Sequence, residues 1–76
     1  MESLDRIITV VSRILETPVT SEDSMSTVPV WDSLSYINIV SALEEDFNIV
    51  FSNEELEELD SISKIHALIS SRITQE

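Results

Sequence analysis

The sequence contains no cysteine and no glycine in its 76 residues. Without cysteine the chain forms no disulfide, binds no zinc through thiolates and has no thiol nucleophile. The glycine-rich loops that cradle phosphates and dinucleotides need backbone positions that a Cβ would obstruct, so nucleotide-binding motifs of that kind are excluded. Any thiol chemistry in which the chain takes part must therefore come from a group supplied from outside.

Basic residues are scarce as well. The chain has 4 Lys and Arg against 15 Asp and Glu, which gives a formal net charge of -11. Residues 14–63 contain 12 of these acids and no base. Such a field repels nucleic-acid phosphates and favours basic protein partners, so we predict no nucleic-acid partner. A calcium loop needs a turn-forming glycine between its ligands, and we predict no specific metal site.

Long apolar runs are missing too. No run approaches the ~20 residues of a membrane span, and the first residues lack the basic-then-apolar order of a signal peptide. We therefore expect a soluble, cytoplasmic protein with no membrane partner. A chain of 76 residues has room for a single core. We predict one domain over residues 1–76, and a monomer.

Apolar residues in the first half of the chain repeat with the spacing of amphipathic helices. This spacing predicts helix one over residues 4–15 with Ser3 as its cap, and helix two over residues 33–47 with Asn48 as a left-handed C-terminal cap. Five residues of helix two are expected to face inward: Leu34, Ile37, Val40, Leu43 and Phe47. Three more are expected to broaden this face: Tyr36, Ile39 and Ala42. Residues 16–31 are predicted to form a long ordered loop, pinned by four apolar side chains: Val19, Met25, Val28 and Val30.

The second half predicts a short helix followed by a longer one. Ser52 and Glu55 have the spacing of a capping box, which starts a short helix through Leu59. Asp60 or Ser61 caps the last helix, whose inward residues are expected to be Ile62, Ile65, Leu68, Ile69 and Ile73. The predicted fold is all-α: a small antiparallel bundle of three main helices plus one short helix, with a long loop between helices one and two.

The residues best placed to carry chemistry stand where the long loop meets helix two. Asp32 is suited to be the N-cap, accepting a hydrogen bond from the backbone N–H of Ser35. Ser33 is then the first helical residue, with its hydroxyl in solvent at the positive end of the helix dipole, where an attached phosphate is stabilised. Trp31 and Tyr36 stand at the two positions of a hydrophobic staple. Spacing alone favours an ordinary capped helix over an attachment point.

A wider set of motifs surrounds this serine. Asp-Ser-Leu at 32–34 is followed by Ala-Leu-Glu-Glu-x-Phe at 42–47 and by Ile-x-Phe-x-x-Glu-Glu at 49–55. This combination resembles the acyl carrier proteins, and the resemblance covers nearly the whole chain. It implies a carrier and not an enzyme, in which Ser33 is esterified by 4′-phosphopantetheine from coenzyme A. Acyl intermediates are then held as thioesters on the arm's thiol.

The resemblance also implies roles for the residues around Ser33. Asp32 corresponds to the acid that helps a phosphopantetheinyl transferase and its magnesium to engage. Glu44 and Glu45 correspond to acids that are read by basic docking patches on acyl-loading and acyl-processing enzymes. The predicted partner-binding residues of helix two are Leu34, Asn38, Ser41, Glu44 and Glu45.

Two departures from the family pattern bear on the pathway. Val30 and Trp31 stand where the family often has glycine. Ser35 and Asn38 stand early in helix two, where carriers of fatty-acid synthesis tend to have acids. The resemblance therefore implies a carrier in a dedicated biosynthetic pathway rather than in bulk fatty-acid synthesis.

A second Asp-Ser-aliphatic triplet, at residues 60–62, also begins a predicted helix. Capping alone does not choose between Ser33 and Ser61. The helix after Ser33 leads into acids, whereas the helix after Ser61 carries Lys64 and Arg72, so a basic transferase surface should prefer Ser33.

Two alternatives come from other classes of protein. One is an acidic helical interaction module that binds a basic protein and is never modified. The other is a hydrolase built around His66, the only histidine. A catalytic triad also needs an oxyanion site and a substrate pocket, and no spacing in the sequence indicates either.

Overall fold

The computed structural model describes residues 2–72, and the helices of this part follow the predicted order. α1 is Glu2–Leu15, α2 is Ser33–Phe47, α3 is Asn53–Leu56 and α4 is Ile62–Arg72. The predicted all-α bundle of three main helices and one short helix is confirmed. Ile73, which was expected to face inward, lies outside the described residues. Among the helices of residues 2–72, none has the length and hydrophobicity of a membrane span.

A single apolar core is enclosed where α1 packs against both α2 and α4. From α1 and α4 the core takes seven buried residues: Ile7, Val10, Val11, Leu15, Ile62, Ile65 and Ile69. Each of these side chains contributes roughly 1.5 to 3 kcal/mol when it leaves water, before conformational entropy is subtracted. The shared core therefore fixes α2 and α4 against α1.

The start of α1 differs from the prediction. α1 already includes Glu2, so Ser3 lies within the helix and is not its cap. Ser3 is also buried, with only 4% of its surface exposed. The apolar pattern that predicts this helix begins at Leu4. Because Glu2 and Ser3 are polar, the pattern gives no sign that the helix already includes them.

The inward face of α2 was predicted wrongly at its first two positions. Leu34 is 70% exposed and Ile37 is 59% exposed. The buried residues of α2 are Ile39, Val40, Leu43 and Phe47. Because successive helical residues are about 100° apart, Ile37 lies roughly 100° and Leu34 roughly 160° away from the centre of that stripe. These two side chains therefore face solvent beside Ser33.

Helix ends without glycine use other residues. Asn48 ends α2 in the left-handed conformation, with φ at 57°, and its backbone N–H donates to the Glu44 carbonyl. Glu16 has the same φ directly after α1. Asparagine tolerates this conformation better than most residues because its short polar side chain can hydrogen-bond locally. The predicted cap at Asn48 is confirmed.

The long loop is held against the rest of the fold by buried apolar side chains and by two backbone hydrogen bonds. Val19, Val28 and Trp31 are buried, and Met25 packs against the core from a half-buried position. Val30, which was also expected to pin the loop to the core, is 51% exposed, so that prediction is wrong. The Met25 N–H donates to the Asp60 carbonyl over 2.9 Å, and the Ile62 N–H donates to the Asp23 carbonyl over 3.0 Å. These two bonds fix the loop against the start of α4.

The capping box of α3 is confirmed, although the helix is shorter than predicted. The Ser52 hydroxyl accepts from the Glu55 N–H at 3.2 Å, and the Glu55 carboxylate accepts from the Ser52 N–H at 2.8 Å. α3 ends at Leu56, and Leu59 is buried in the turn that follows. A four-residue helix is marginal by itself, so contacts with neighbouring elements must hold it in position.

Candidate attachment site

Asp32 caps α2 as predicted. Its carboxylate accepts the backbone N–H of Ser35 at 3.0 Å, while the Ser35 hydroxyl donates to the Val30 carbonyl at 3.0 Å. The hydrogen bond from the Ser35 backbone lowers the pKa of Asp32 below its ordinary value of 3.8. Asp32 is thus ionised near neutral pH and fixed in direction next to Ser33.

Trp31 and Tyr36, the two residues of the predicted hydrophobic staple, both pack against the core. Trp31 is only 2% exposed, and Tyr36 is half-buried and packs against the core. The Tyr36 hydroxyl donates to the Leu56 carbonyl at the end of α3. Burial, followed by the charges of Asp60 and Glu57, raises the pKa of Tyr36, so the phenol stays protonated and remains a donor. The first turn of α2 is consequently held from the loop side and from the α3 side.

Ser33 is the first residue of α2 and is exposed. Among the described residues, nothing hydrogen-bonds to its hydroxyl. A free hydroxyl at the first position of a helix faces unpaired backbone N–H groups and the positive end of the dipole. This environment suits a serine oxygen that carries a phosphate.

Ser61 stands in a different place at its helix, despite the matching triplet. Its hydroxyl accepts the backbone N–H of Lys64 at 3.1 Å, so Ser61 itself is the cap of α4 and not the first helical residue. Asp60, the residue before it, pairs with Lys64 at 3.3 Å instead of capping. Ser61 is also half-buried. The two triplets therefore present one free and one occupied hydroxyl.

An open groove of about 490 Å³ adjoins Ser33, and we call it the Ser33 groove. It lies between the start of α2, the long loop and the α3 end of the connection to α4. Its lining residues are Met25, Ser33, Tyr36, Ile37, Leu56, Glu57 and Asp60. Most of the wall is apolar, so the groove offers shelter to part of a group attached at Ser33. Sequence patterns did not predict it, because its residues come from three separate segments.

The predicted partner-binding residues do not all share one environment. Leu34, Asn38, Ser41 and Glu45 are exposed, and their spacing of three and four residues puts them along one side of α2, opposite the core. Glu44 differs, because its half-buried carboxylate accepts the backbone N–H of Phe51 at 2.9 Å. Glu44 therefore already has a structural role in holding the chain after α2.

Three of the four bases are already paired with acids. Arg6 contacts the Asp46 carboxylate at 2.9 Å and stacks over the Phe47 ring at 4.3 Å. Arg72 contacts the Glu55 carboxylate at 2.7 Å, and Lys64 pairs with Asp60 as described above. Within residues 2–72 no ion pair involves Glu45. The exposed side of α2 accordingly keeps its negative charge available for a partner.

His66 gives no support for a hydrolase. Its Nε2 atom is buried and lacks a hydrogen-bond partner among the described residues. A general base must reach the hydroxyl it activates, and this imidazole nitrogen reaches none. In the same part of the chain, no group of three or more acids and histidines is arranged to hold a metal ion.

The fold and the site together define a small helical domain in which a serine at the start of the second helix faces solvent beside an open apolar groove. Residues 5–69 match the family model described as "Phosphopantetheine attachment site", and the chain belongs to this family. Its covalent cofactor is 4′-phosphopantetheine, the group that the family's domains carry. A solved structure described as an acyl carrier protein, Rv0033 from Mycobacterium tuberculosis, is similar in fold. It has a TM-score of 0.82 and 19% identity, with 92% of this chain and 97% of that chain covered.

Proposed function

We propose that this chain is an acyl carrier protein, not an enzyme, and that Ser33 is the residue at which it receives its phosphopantetheine arm. The observation that carries the proposal is the contrast between two hydroxyls. The Ser33 hydroxyl is exposed and unbonded within residues 2–72, whereas the Ser61 hydroxyl is committed to the cap of α4. Modification of Ser61 would remove the hydrogen bond that caps α4, and such a cap stabilises a helix by about 1 kcal/mol. Modification of Ser33 breaks no hydrogen bond of the described structure.

The attachment step requires a transferase that brings coenzyme A and magnesium. The Ser33 oxygen forms a bond to the phosphorus that bears pantetheine. The phosphoanhydride bond at this phosphorus breaks, 3′,5′-adenosine bisphosphate leaves, and the hydroxyl proton passes to a base of the transferase. In this proposal Asp32, whose ionised carboxylate accepts the Ser35 N–H, engages the magnesium. When bound, the arm supplies a thiol that holds acyl groups as thioesters.

The exposed side of α2 is the docking surface in this proposal. It begins with Leu34, continues through Asn38 and Ser41 and ends at Glu45, with Glu44 at its border. Glu44 and Glu45, which form no ion pair within residues 2–72, attract the basic patches of a transferase and of acyl-loading and acyl-processing enzymes. The apolar Leu34, next to Ser33, supplies the contact area that charge alone does not give.

We also propose that the carrier serves a dedicated biosynthetic pathway. The first turn of α2 contains no acid, so an enzyme that approaches Ser33 meets the Asp32 carboxylate at the N-cap and uncharged side chains in the turn that follows. Enzymes selected for a carrier with acids in that turn would lose part of their charge complementarity. A monomeric state and a cytoplasmic location stay predictions.

The test is an intact mass measurement after incubation with coenzyme A and a broad-specificity phosphopantetheinyl transferase. The proposal predicts one added arm on the wild-type chain and on Ser61→Ala, and none on Ser33→Ala. Circular dichroism of Ser33→Ala would establish that it is folded. A wild-type chain that stays unmodified would favour the acidic interaction module, and an arm that persists in Ser33→Ala would move the site elsewhere.

A further inference from the structure

A charged cleft lies between α1 and α2, and we call it the α1–α2 cleft. It consists of two adjoining hollows of about 250 and 260 Å³, and none of its lining residues belongs to the Ser33 groove. Arg13 lines both hollows and so stands where they meet. The lining bases, Arg6 and Arg13, belong to α1, whereas Glu45 and Asp46 line the cleft from α2. The cleft therefore places bases of one helix opposite acids of the other.

The two arginines of the cleft differ in what they contact. The Arg6 guanidinium donates to the carboxylate and to the carbonyl of Asp46, and it stacks over the Phe47 ring at 4.3 Å. The Arg13 side chain is exposed and forms no hydrogen bond and no ion pair within residues 2–72. The other three Lys and Arg are all paired with acids. Arg13 is therefore the one base in the described part of the chain that can meet a second molecule without breaking an ion pair.

Glu45, which lines one hollow together with Arg13, is also unpaired. Its side chain is exposed and forms no hydrogen bond and no ion pair within residues 2–72. Asp46 is engaged by Arg6 at 2.9 Å, and Asp5 lines only the other hollow, together with Arg6. The charges of Arg13 and Glu45 thus lie on the two walls of one hollow, and neither is neutralised by a contact. A partner that docks at Glu45 therefore meets Arg13 as well.

The position of Arg13 determines which charges an approaching surface can place over the cleft. Proteins select partners partly through like charges that repel the wrong ones. A surface that is basic throughout would bring one of its bases close to Arg13 as it covers Glu45, and this repulsion opposes docking. A surface that carries a carboxylate beside its base would instead form a charge-assisted hydrogen bond with each of these two residues.

We infer that Arg13 selects among the enzymes that dock on α2. It favours a surface with a carboxylate next to the base that meets Glu45, and it disfavours a surface that is basic throughout. The inference rests on the proposed attachment at Ser33 and on the proposed docking surface of α2. Glu45 follows Ser33 by 12 positions, which is about 18 Å along the helix axis. Arg13 therefore acts on the choice of partner and not on the chemistry at the serine.

The test uses two synthetic helical peptides of equal length as surfaces of known charge. The lysine peptide has lysines along one face, and the mixed peptide has a row of lysines next to a row of glutamates. Each is titrated into the isotope-labelled wild-type chain and into Arg13→Gln, before and after arm attachment. Amide chemical shifts give both the affinity and the contacted residues. Intact mass with the Ser33→Ala control checks attachment. Absence of the arm would overturn the attachment proposal, whereas the titrations decide the role of Arg13.

Arg13→Gln should bind the lysine peptide about two- to five-fold more tightly than the wild type does, and the mixed peptide more weakly by a similar factor, the range expected for exposed charge pairs. The amides of Arg13 and Glu45 should shift in the wild type. Arg13→Lys keeps the charge and should behave like the wild type. These differences should disappear as ionic strength approaches about 0.5 M.

Ala67→Glu is the matched control. It changes the net charge by the same amount as Arg13→Gln, at an exposed position of α4 that does not line the cleft. This variant should not weaken binding of the mixed peptide. Circular dichroism of each variant establishes that it is folded, so that the titrations compare binding alone.

Three results would overturn the inference. A change in the same direction for both peptides on Arg13→Gln would show that Arg13 does not select between the two kinds of surface. Equal effects of Arg13→Gln and Ala67→Glu would assign the change to net charge and not to the cleft. Titrations that leave the amides of Arg13 and Glu45 unshifted would show that neither peptide contacts the cleft.

Discussion

The hydroxyl of Tyr36, in the first turns of α2, donates a hydrogen bond to the backbone carbonyl of Leu56, the last residue of α3. The two residues are 20 positions apart in the chain. α3 has only four residues, and α2 begins at Ser33. One side chain thus connects the helix that carries the candidate attachment site to the short helix that borders the same groove.

Replacing Tyr36 by phenylalanine tests the strength of this connection. The variant keeps the ring but leaves the Leu56 carbonyl without its donor, so we expect a loss of about 1 kcal/mol in the free energy of unfolding. For a domain of this size that loss lowers the melting temperature by roughly 4 to 8 °C. Urea unfolding and thermal unfolding measure the two quantities. An unchanged melting temperature would mean that water replaces the bond at no cost.

Glu44 and Glu45 are neighbours with opposite expected roles. Glu44→Ala removes the acceptor for the Phe51 N–H and should lower the free energy of unfolding by roughly 1 to 2 kcal/mol. Glu45→Ala, at an exposed position, should stay within about 0.5 kcal/mol of the wild type. Chemical denaturation of both variants makes the comparison. Equal losses would contradict the structural role assigned to Glu44.

Docking by charge makes association dependent on salt. The rate of arm attachment, measured with substrate well below saturation, should fall steeply as ionic strength approaches about 0.5 M, because the screening length drops well below the ~10 Å found at 0.1 M. Glu45→Gln should lower the rate at low salt and weaken its salt dependence. Glu22→Gln, an exposed charge change in the long loop, is the control. A rate that is independent of salt would remove electrostatic steering from the account.

The free energy of unfolding should depend on pH in the range where the Glu55 carboxylate becomes protonated. Its hydrogen bond from the Ser52 N–H, followed by the Arg72 guanidinium, lowers its pKa below the ordinary value of 4.5. A carboxyl whose pKa is lower in the folded state contributes stability above the unfolded pKa and loses it as the pH falls through the folded pKa. The stability difference between wild type and Glu55→Gln should therefore be constant from pH 6 to 8 and shrink below pH 4.5.

Urea unfolding across that pH range gives the required differences. Glu54→Gln serves as the control, because Glu54 is an exposed neighbour with no hydrogen bond among the described residues. The difference in the free energy of unfolding between Glu54→Gln and the wild type should not shrink below pH 4.5 in the way expected for Glu55→Gln. A Glu55→Gln difference that stays constant to pH 3, or grows, would contradict the assigned sign.

Local signals in the sequence were enough to place most of the helices. Asn48, the Ser52 capping box and Asp32 each act within a few residues of their own position, so the pattern of neighbours determines their geometry. The same local reasoning failed for Leu34 and Ile37. Their side chains have the hydrophobicity of core residues. Only the packing of α2 against α1 shows which side of α2 is buried, and Leu34 and Ile37 lie outside that side.

For the candidate site, the sequence pointed to two residues but not to the groove beside them. Asp32 and Ser33 lie next to each other in the chain, and the resemblance to carrier proteins pointed to them directly. Met25, Leu56 and Glu57 come to Ser33 from distant segments, through the bonds that dock the loop on α4 and α3 on α2. No short-range pattern encodes such contacts, and the groove they line could not be foreseen.

The most direct measurement locates the arm within the chain. A protease that cleaves after glutamate separates the two competing serines, because Ser33 falls in the peptide of residues 23–44 and Ser61 in that of residues 59–76. After incubation with coenzyme A and a transferase, peptide mass spectrometry should find the arm on residues 23–44 and nothing on residues 59–76. An arm on residues 59–76, or none on either peptide, would contradict the assignment of Ser33.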